Sequence, residues 1–196
     1  MKNLLLFVSI ALAISAKSQV VSVELLEHYT ISDIQDVMDD FGLPPSLIPI
    51  SFEVDYYAVE YMSLHPNGDS ILVSGGMALP SEVTCPLPLV CYMHGTIAER
   101  VDVPSYLSDE GLLGVLYATS GYASILPDYV GLGSSDLLHL YVHAESEAQI
   151  GVDMIKSAQD LQDQLAFNLD EQLFIFGYSQ GGHAAMALSK KLEEEY

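Results

Sequence analysis

Basic residues are the scarcest chemistry in this chain: six lysines and arginines stand against 27 aspartates and glutamates, for a net charge of −21 over 196 residues. Binding a phosphate backbone or an anionic lipid surface takes clustered Lys and Arg, so nucleic acid is excluded as a partner by charge alone. The acidic excess reads instead as solubility in a medium whose counterions screen self-repulsion. Cysteine is nearly absent as well, with only Cys85 and Cys91. If Leu87 to Met93 is extended, six residues at ~3.3 Å each carry the two too far apart to bridge, and both are expected as buried free thiols. No stretch approaches the ~20 apolar residues that span a bilayer, since the run from Leu4 to Ile14 covers eleven positions. Stable membrane insertion is therefore not expected. Internal repeats and low-complexity segments are also lacking.

That short apolar run, with Lys2 before it and Ser15-Ala16-Lys17-Ser18 after it, reads as an export signal cut before Gln19, with small Ala16 and Ser18 three and one positions ahead of the cut. No cysteine follows the cut, so lipid attachment there is not expected. The reading divides the chain into a signal over 1–18, a helical segment over 19–50 and one α/β domain over 51–196. It places the protein in the periplasm or the medium. Half of all residues are hydrophobic, enough for a sizeable core in one domain.

Thr30 or Ser32 can cap a helix whose Ile34, Val37, Met38 and Phe41 repeat at helical spacing, ended by Gly42 and Pro44-Pro45; it is expected as a lid or clasp. Phe52 to Met62 and Ile71 to Leu79 suit two strands of a hairpin joined by turn chemistry at His65-Pro66-Asn67-Gly68-Asp69. Leu87 to Met93 is an uninterrupted apolar run of the kind a strand covered on both faces requires. A helix over about Glu110 to Thr119, a buried strand over Tyr122 to Leu126, a helix between Ala144 and Leu165 and a last strand over Leu173 to Phe176 then alternate. The long helix carries one apolar stripe, Ile150, Met154, Ala158, Leu161 and Leu165. Such alternation calls for a mostly parallel sheet with helices on both faces, opened by an antiparallel hairpin.

The strongest chemical signal is Gly177-Tyr178-Ser179-Gln180-Gly181-Gly182, which follows a strand and opens a helix. A serine at a tight strand-to-helix turn sits in strained backbone, and glycines beside it let the chain pass close to itself. Ser179 is thereby thrust out of the sheet as a nucleophile, with Gly177, Tyr178 and Gly181 forming the turn. The helix N-terminus aims its amides at the same place, which makes the Gln180 N–H one oxyanion donor. A second donor is expected from the loop after an earlier central strand, where His94-Gly95-Thr96 stands; Thr96 N–H is the first choice and Gly95 permits the close approach. His94 is read as shaping this loop. His139 and His143, four apart, suit a metal pair on a helix, yet no third ligand is visible, so they are read as hydrogen-bonding residues of a pocket wall.

Together, Tyr92-Met93-His94-Gly95-Thr96, Pro127-Asp128-Tyr129-Val130-Gly131-Leu132-Gly133, His139-Leu140-Tyr141-Val142-His143-Ala144-Glu145-Ser146-Glu147 and Gly177-Tyr178-Ser179-Gln180-Gly181-Gly182-His183-Ala184 resemble the secreted lipase/esterase branch of the α/β-hydrolase superfamily. The resemblance implies hydrolysis of a small-molecule or lipid carboxylic ester through an acyl-enzyme, with no metal or organic cofactor. It gives Asp128 and Tyr129 a place in the pocket loop, with Asp128 bonding backbone amides of its own loop rather than serving as the catalytic acid, and it gives His183 a packing position on the helix after Ser179. In that family the order is serine, acid, histidine, the last two on loops after later strands, whereas seventeen residues follow Ser179 here. The expectation is a chain that stops after the nucleophile helix, with the far edge of the last strand bare and prone to pair with another chain. Three functions stay open: an ester hydrolase incomplete as this fragment; a non-catalytic remnant that binds an apolar ligand or partner; and an acyltransferase or peptidase using the same serine.

Overall fold

The computed structural model describes residues 19–44 and 46–195; the export signal over 1–18 lies outside them. Six strands form one sheet in the order β1-β2-β3-β5-β4-β6. These are β1 (Val20–Tyr29), β2 (Val54–Leu64), β3 (Ser70–Pro80), β4 (Leu87–Met93), β5 (Ala123–Pro127) and β6 (Leu169–Gly177). Strands β1, β2 and β3 make an antiparallel meander, and β3 pairs antiparallel with β5. The parallel part is confined to β5, β4 and β6. The sheet is thus mixed, with a larger antiparallel share than a single opening hairpin would give.

The 19–50 segment, expected to be helical, enters the sheet as β1 before it turns into α1 (Ile31–Asp40). Thr30 caps α1 with a reciprocal pair of bonds: its hydroxyl oxygen accepts from Asp33 N at 3.3 Å, while Asp33 accepts from Thr30 N at 2.8 Å. Ile34 and Met38 bury the apolar stripe of α1 against Val115 and Leu116 of α2 (Asp109–Thr119). On the other face of the sheet, α3 (Ala144–Asp160) and α5 (Gln180–Glu195) cover the main core. Alternate residues of β3 serve the two sides, Met77 and Leu79 in the main core and Ala78 in the smaller one. The expected single helix to Leu165 breaks at Leu161, leaving the short α4 (Gln162–Leu165). No helix among the described residues is long and apolar enough to cross a membrane.

Both cysteines are free, but Cys85 is exposed, since it precedes β4 on the surface rather than lying within it. Only Cys91 is buried, and burial pushes its thiol up to about 12, so it is inert at neutral pH. Strand β6 is the edge of the sheet on the side away from β4. Its Leu173 and Phe174 are 37% and 46% exposed, although the strand carries no charge from Leu173 to Gly177.

Candidate active site

Strand β6 ends at Gly177 and α5 begins at Gln180, so only Tyr178 and Ser179 make the turn between them. Ser179 adopts φ +55°, a left-handed backbone that costs a non-glycine residue roughly 1–3 kcal/mol and persists only where its surroundings over-determine it. The turn closes through Gly181 N donating to Tyr178 O at 2.8 Å and Gly182 N donating to Ser179 O at 3.0 Å. A Cβ on Gly181 would stand 1.8 Å from Met93 O and 2.7 Å from His94 O, and one on Gly177 2.3 Å from Gly181 O. The glycines are required because the end of β4 runs directly against the turn. Ser179 and Tyr178 are exposed at its tip.

That same contact brings the His94-Gly95-Thr96 loop to the turn. Gly95 is buried, and a Cβ there would lie 3.6 Å from Tyr178 O. Thr96 is exposed and its hydroxyl lies 3.2 Å from the Tyr141 hydroxyl. His94 is fully buried; its Nδ1 donates to Gly95 O at 2.7 Å, and its ring packs 4.0 Å from that of Tyr129. Burial lowers its pKa to about 4, so it is neutral at pH 7 and shapes the loop. Tyr129, whose phenol burial drives upward, donates to His94 O at 2.8 Å and so ties the β5 loop to the β4 loop.

Asp128 has a structural task, but with different partners from those expected. It accepts from the Ser74 hydroxyl of β3 at 2.6 Å and from Ser105 N at 3.3 Å, rather than from amides of its own loop. Burial raises its pKa to about 6 against hydrogen bonds from Ser105 and Ser74 that lower it. A carboxyl with a raised folded pKa holds its proton more tightly when folded, so stability falls as pH rises from about 4 to about 6 and is flat above. Asp128→Asn is expected to remove that component. Between pH 4 and pH 7 the variant should gain on the order of 1–3 kcal/mol relative to wild type. Denaturant unfolding at both pH values measures it, and an unchanged difference would rule it out.

Beside Ser179 lies a polar cluster that the sequence did not single out. Glu147, in the first turn of α3, is 1% exposed. Its Oε1 accepts from Gln180 Nε2 at 2.8 Å and its Oε2 from His183 Nδ1 at 2.7 Å. His183, given a packing position by the resemblance, is exposed and held to a buried carboxylate. His139 Nδ1 donates to Val130 O at 2.8 Å, which leaves its Nε2 as the acceptor 3.4 Å from Gln180 Nε2. His143 caps α3 by accepting from Ser146 N at 3.3 Å. Each of the paired histidines thus has a hydrogen-bonding task of its own. The missed signal was available: Glu147 stands three residues before Ile150 and seven before Met154, on the apolar stripe itself.

Among the described residues no histidine hydrogen-bonds to the Ser179 hydroxyl. His183, one turn along α5, is engaged through Glu147 instead.

A secretory lipase family model matches residues 109–196. Of solved structures, a Legionella pneumophila protein assigned as a hydrolase is 29% identical with a TM-score of 0.83, over 90% of this chain and 48% of its own. The rice cell wall degrading esterase LipA from Xanthomonas oryzae, as its N228W mutant, is 28% identical with a TM-score of 0.78, over 92% of this chain and 47% of its own. Candida antarctica lipase A in its closed state shares the fold at 14% identity and a TM-score of 0.58, over 92% of this chain and 39% of its own. The chain spans about half the length of the first two. No curated protein matches it.

Proposed function

We propose that this chain, the N-terminal portion of an α/β-hydrolase fold of the lipase and esterase kind, supplies the nucleophile and oxyanion site of an exported serine ester hydrolase. The observation that carries this reading is the strained Ser179, exposed at φ +55° on a two-residue link between a strand and a helix N-terminus. Its Oγ attacks the ester carbonyl carbon, and the developing negative oxygen is received by the Gln180 N–H and by an amide of the Gly95–Thr96 loop. The tetrahedral adduct expels the alcohol, leaving an acyl group on Ser179 that water then removes. The proton acceptor for the attack is assigned to an imidazole downstream of α5, oriented by a downstream acid. Release of p-nitrophenol from short-chain esters by the chain extended downstream tests this. Activity is expected and should vanish on Ser179→Ala; an alanine variant that turns over normally would overturn the assignment.

One observation favours a second reading, in which an apolar ligand or partner binds at the open edge. A groove of about 340 Å³ runs beside β6, with an apolar floor that includes Leu89, Val152 and Leu173 and a charged rim of Lys156, Asp170 and Glu171. A strand edge left apolar and uncharged, as β6 is from Leu173 to Gly177, is a template for pairing. The 196-residue polypeptide is accordingly expected to elute above monomer size in size-exclusion chromatography with light scattering, and Phe174→Lys to shift it toward the monomer. A wild type that runs as a cooperative monomer would remove the edge from consideration.

A further inference from the structure

We propose that Glu147 is the positioning residue of the oxyanion site, fixing the first residue of α5 and through it the amide that meets the developing charge. This rests on the ester-hydrolase reading above. A carboxylate on the apolar stripe of a buried helix is costly to keep dry unless both oxygens are hydrogen-bonded, and an aliphatic residue would fit the stripe without that cost. Glu147 spends both oxygens on the first turn of α5, one on Gln180 and one on His183.

The two amide hydrogens of Gln180 are both committed. One goes to Glu147 Oε1 at 2.8 Å and the other faces His139 Nε2 at 3.4 Å, whose lone pair is fixed by the Nδ1 bond to Val130 O. Gln180 itself is buried. The peptide joining Ser179 to Gln180 has its direction set by ψ of the first and φ of the second, so anchoring the Gln180 side chain limits where its N–H aims. Simple adhesion between α3 and α5 does not require this contact. The two helices already pack further along, where Gly151 admits the Leu188 side chain so closely that a Cβ there would lie 2.7 Å from it. The buried polar contacts occur at the end that borders Ser179.

Phenylboronic acid is the probe that separates these roles. Its boron bonds to Ser179 Oγ as the hydroxyl proton leaves to solvent, and the tetrahedral boronate places an oxygen where the oxyanion forms; benzamide, which cannot add, reports ground-state binding. Boron NMR should show a tetrahedral adduct with the wild-type chain and none with Ser179→Ala. Glu147→Gln is expected to weaken the boronate by about tenfold to a hundredfold while benzamide affinity stays unchanged. Gln180→Met removes both amide hydrogens yet leaves Glu147 with His183. It should give the same selective loss, with no further loss in the double variant, and it carries the test if Glu147→Gln fails to fold. Boronate affinity unchanged in the variants, or an equal fall for both probes, overturns the positioning role. A wild type that forms no adduct, or an adduct that survives Ser179→Ala, overturns the hydrolase reading and the proposal together.

Discussion

Assayed alone on short-chain p-nitrophenyl esters, the 196-residue chain is expected to run about 10⁶-fold slower than the same chain extended to supply a downstream acid and histidine. The magnitude follows from how a triad divides its labour. Removing the base leaves the nucleophile's proton in place at the moment of attack, and residual catalysis then comes from binding and the oxyanion site alone. A factor of that size corresponds to roughly 8 kcal/mol of lost transition-state stabilisation. Among the described residues no histidine hydrogen-bonds to the Ser179 hydroxyl: His94 is fully buried with its pKa lowered to about 4, and His183, although its Nδ1 is held by Glu147 at 2.7 Å as a base is held by its acid, does not reach that hydroxyl. Steady-state rates for both polypeptides, each with a Ser179→Ala control, measure the ratio. Comparable serine-dependent rates would mean that a described histidine acts as the base, with His183 the first to replace.

What the sequence disclosed and what it hid divide along physical lines. The turn at Ser179 was legible because a left-handed residue closed by bonds within five positions is a local demand written in adjacent residues, although the β4 carbonyls that also require Gly181 come from far along the chain. Strands β2 to β6 were legible from apolar runs and turn chemistry for the same reason. Strand β1 was not, because its register against β2 shifts between Val20 and Ser22 and again between Leu25 and Glu27. Each such irregularity breaks the period-two alternation that marks a strand. The partners of Asp128 lie 54 and 23 residues away, at Ser74 and Ser105, and no spacing rule reaches them. Glu147 was an intermediate case: its position on the apolar stripe was readable, but its two partners on α5 are set only by how the helices pack. Cys85 was misjudged because burial was extended from the strand to a residue that precedes it: β4 begins at Leu87, as read, and Cys85 lies in the exposed bend before it.

Gly181→Ala is expected to destabilise the protein by at least about 3 kcal/mol, while Gly182→Ala, one residue along, stays within about 1 kcal/mol of wild type. At Gly181 a new Cβ would meet Met93 O at 1.8 Å and Met93 C and His94 O at 2.7 Å, all of them backbone atoms that no rotamer change can clear. Ordinary contact needs ~3.5 Å or more, so β4 and α5 would have to separate by well over an ångström, carrying Gly95 and Thr96 away from Ser179. At Gly182 the nearest atom to such a Cβ is Gly177 O at 3.7 Å, which is normal packing, and alanine improves a helical position. For a domain of this size the Gly181 change should lower the melting temperature by about 6–12 °C, read at one protein concentration because association shifts apparent stability. The comparison discriminates because both substitutions add one methyl group to adjacent glycines of the same turn. If the two variants melt together, β4 does not lie against the nucleophile turn, and the oxyanion site built on that contact falls with it.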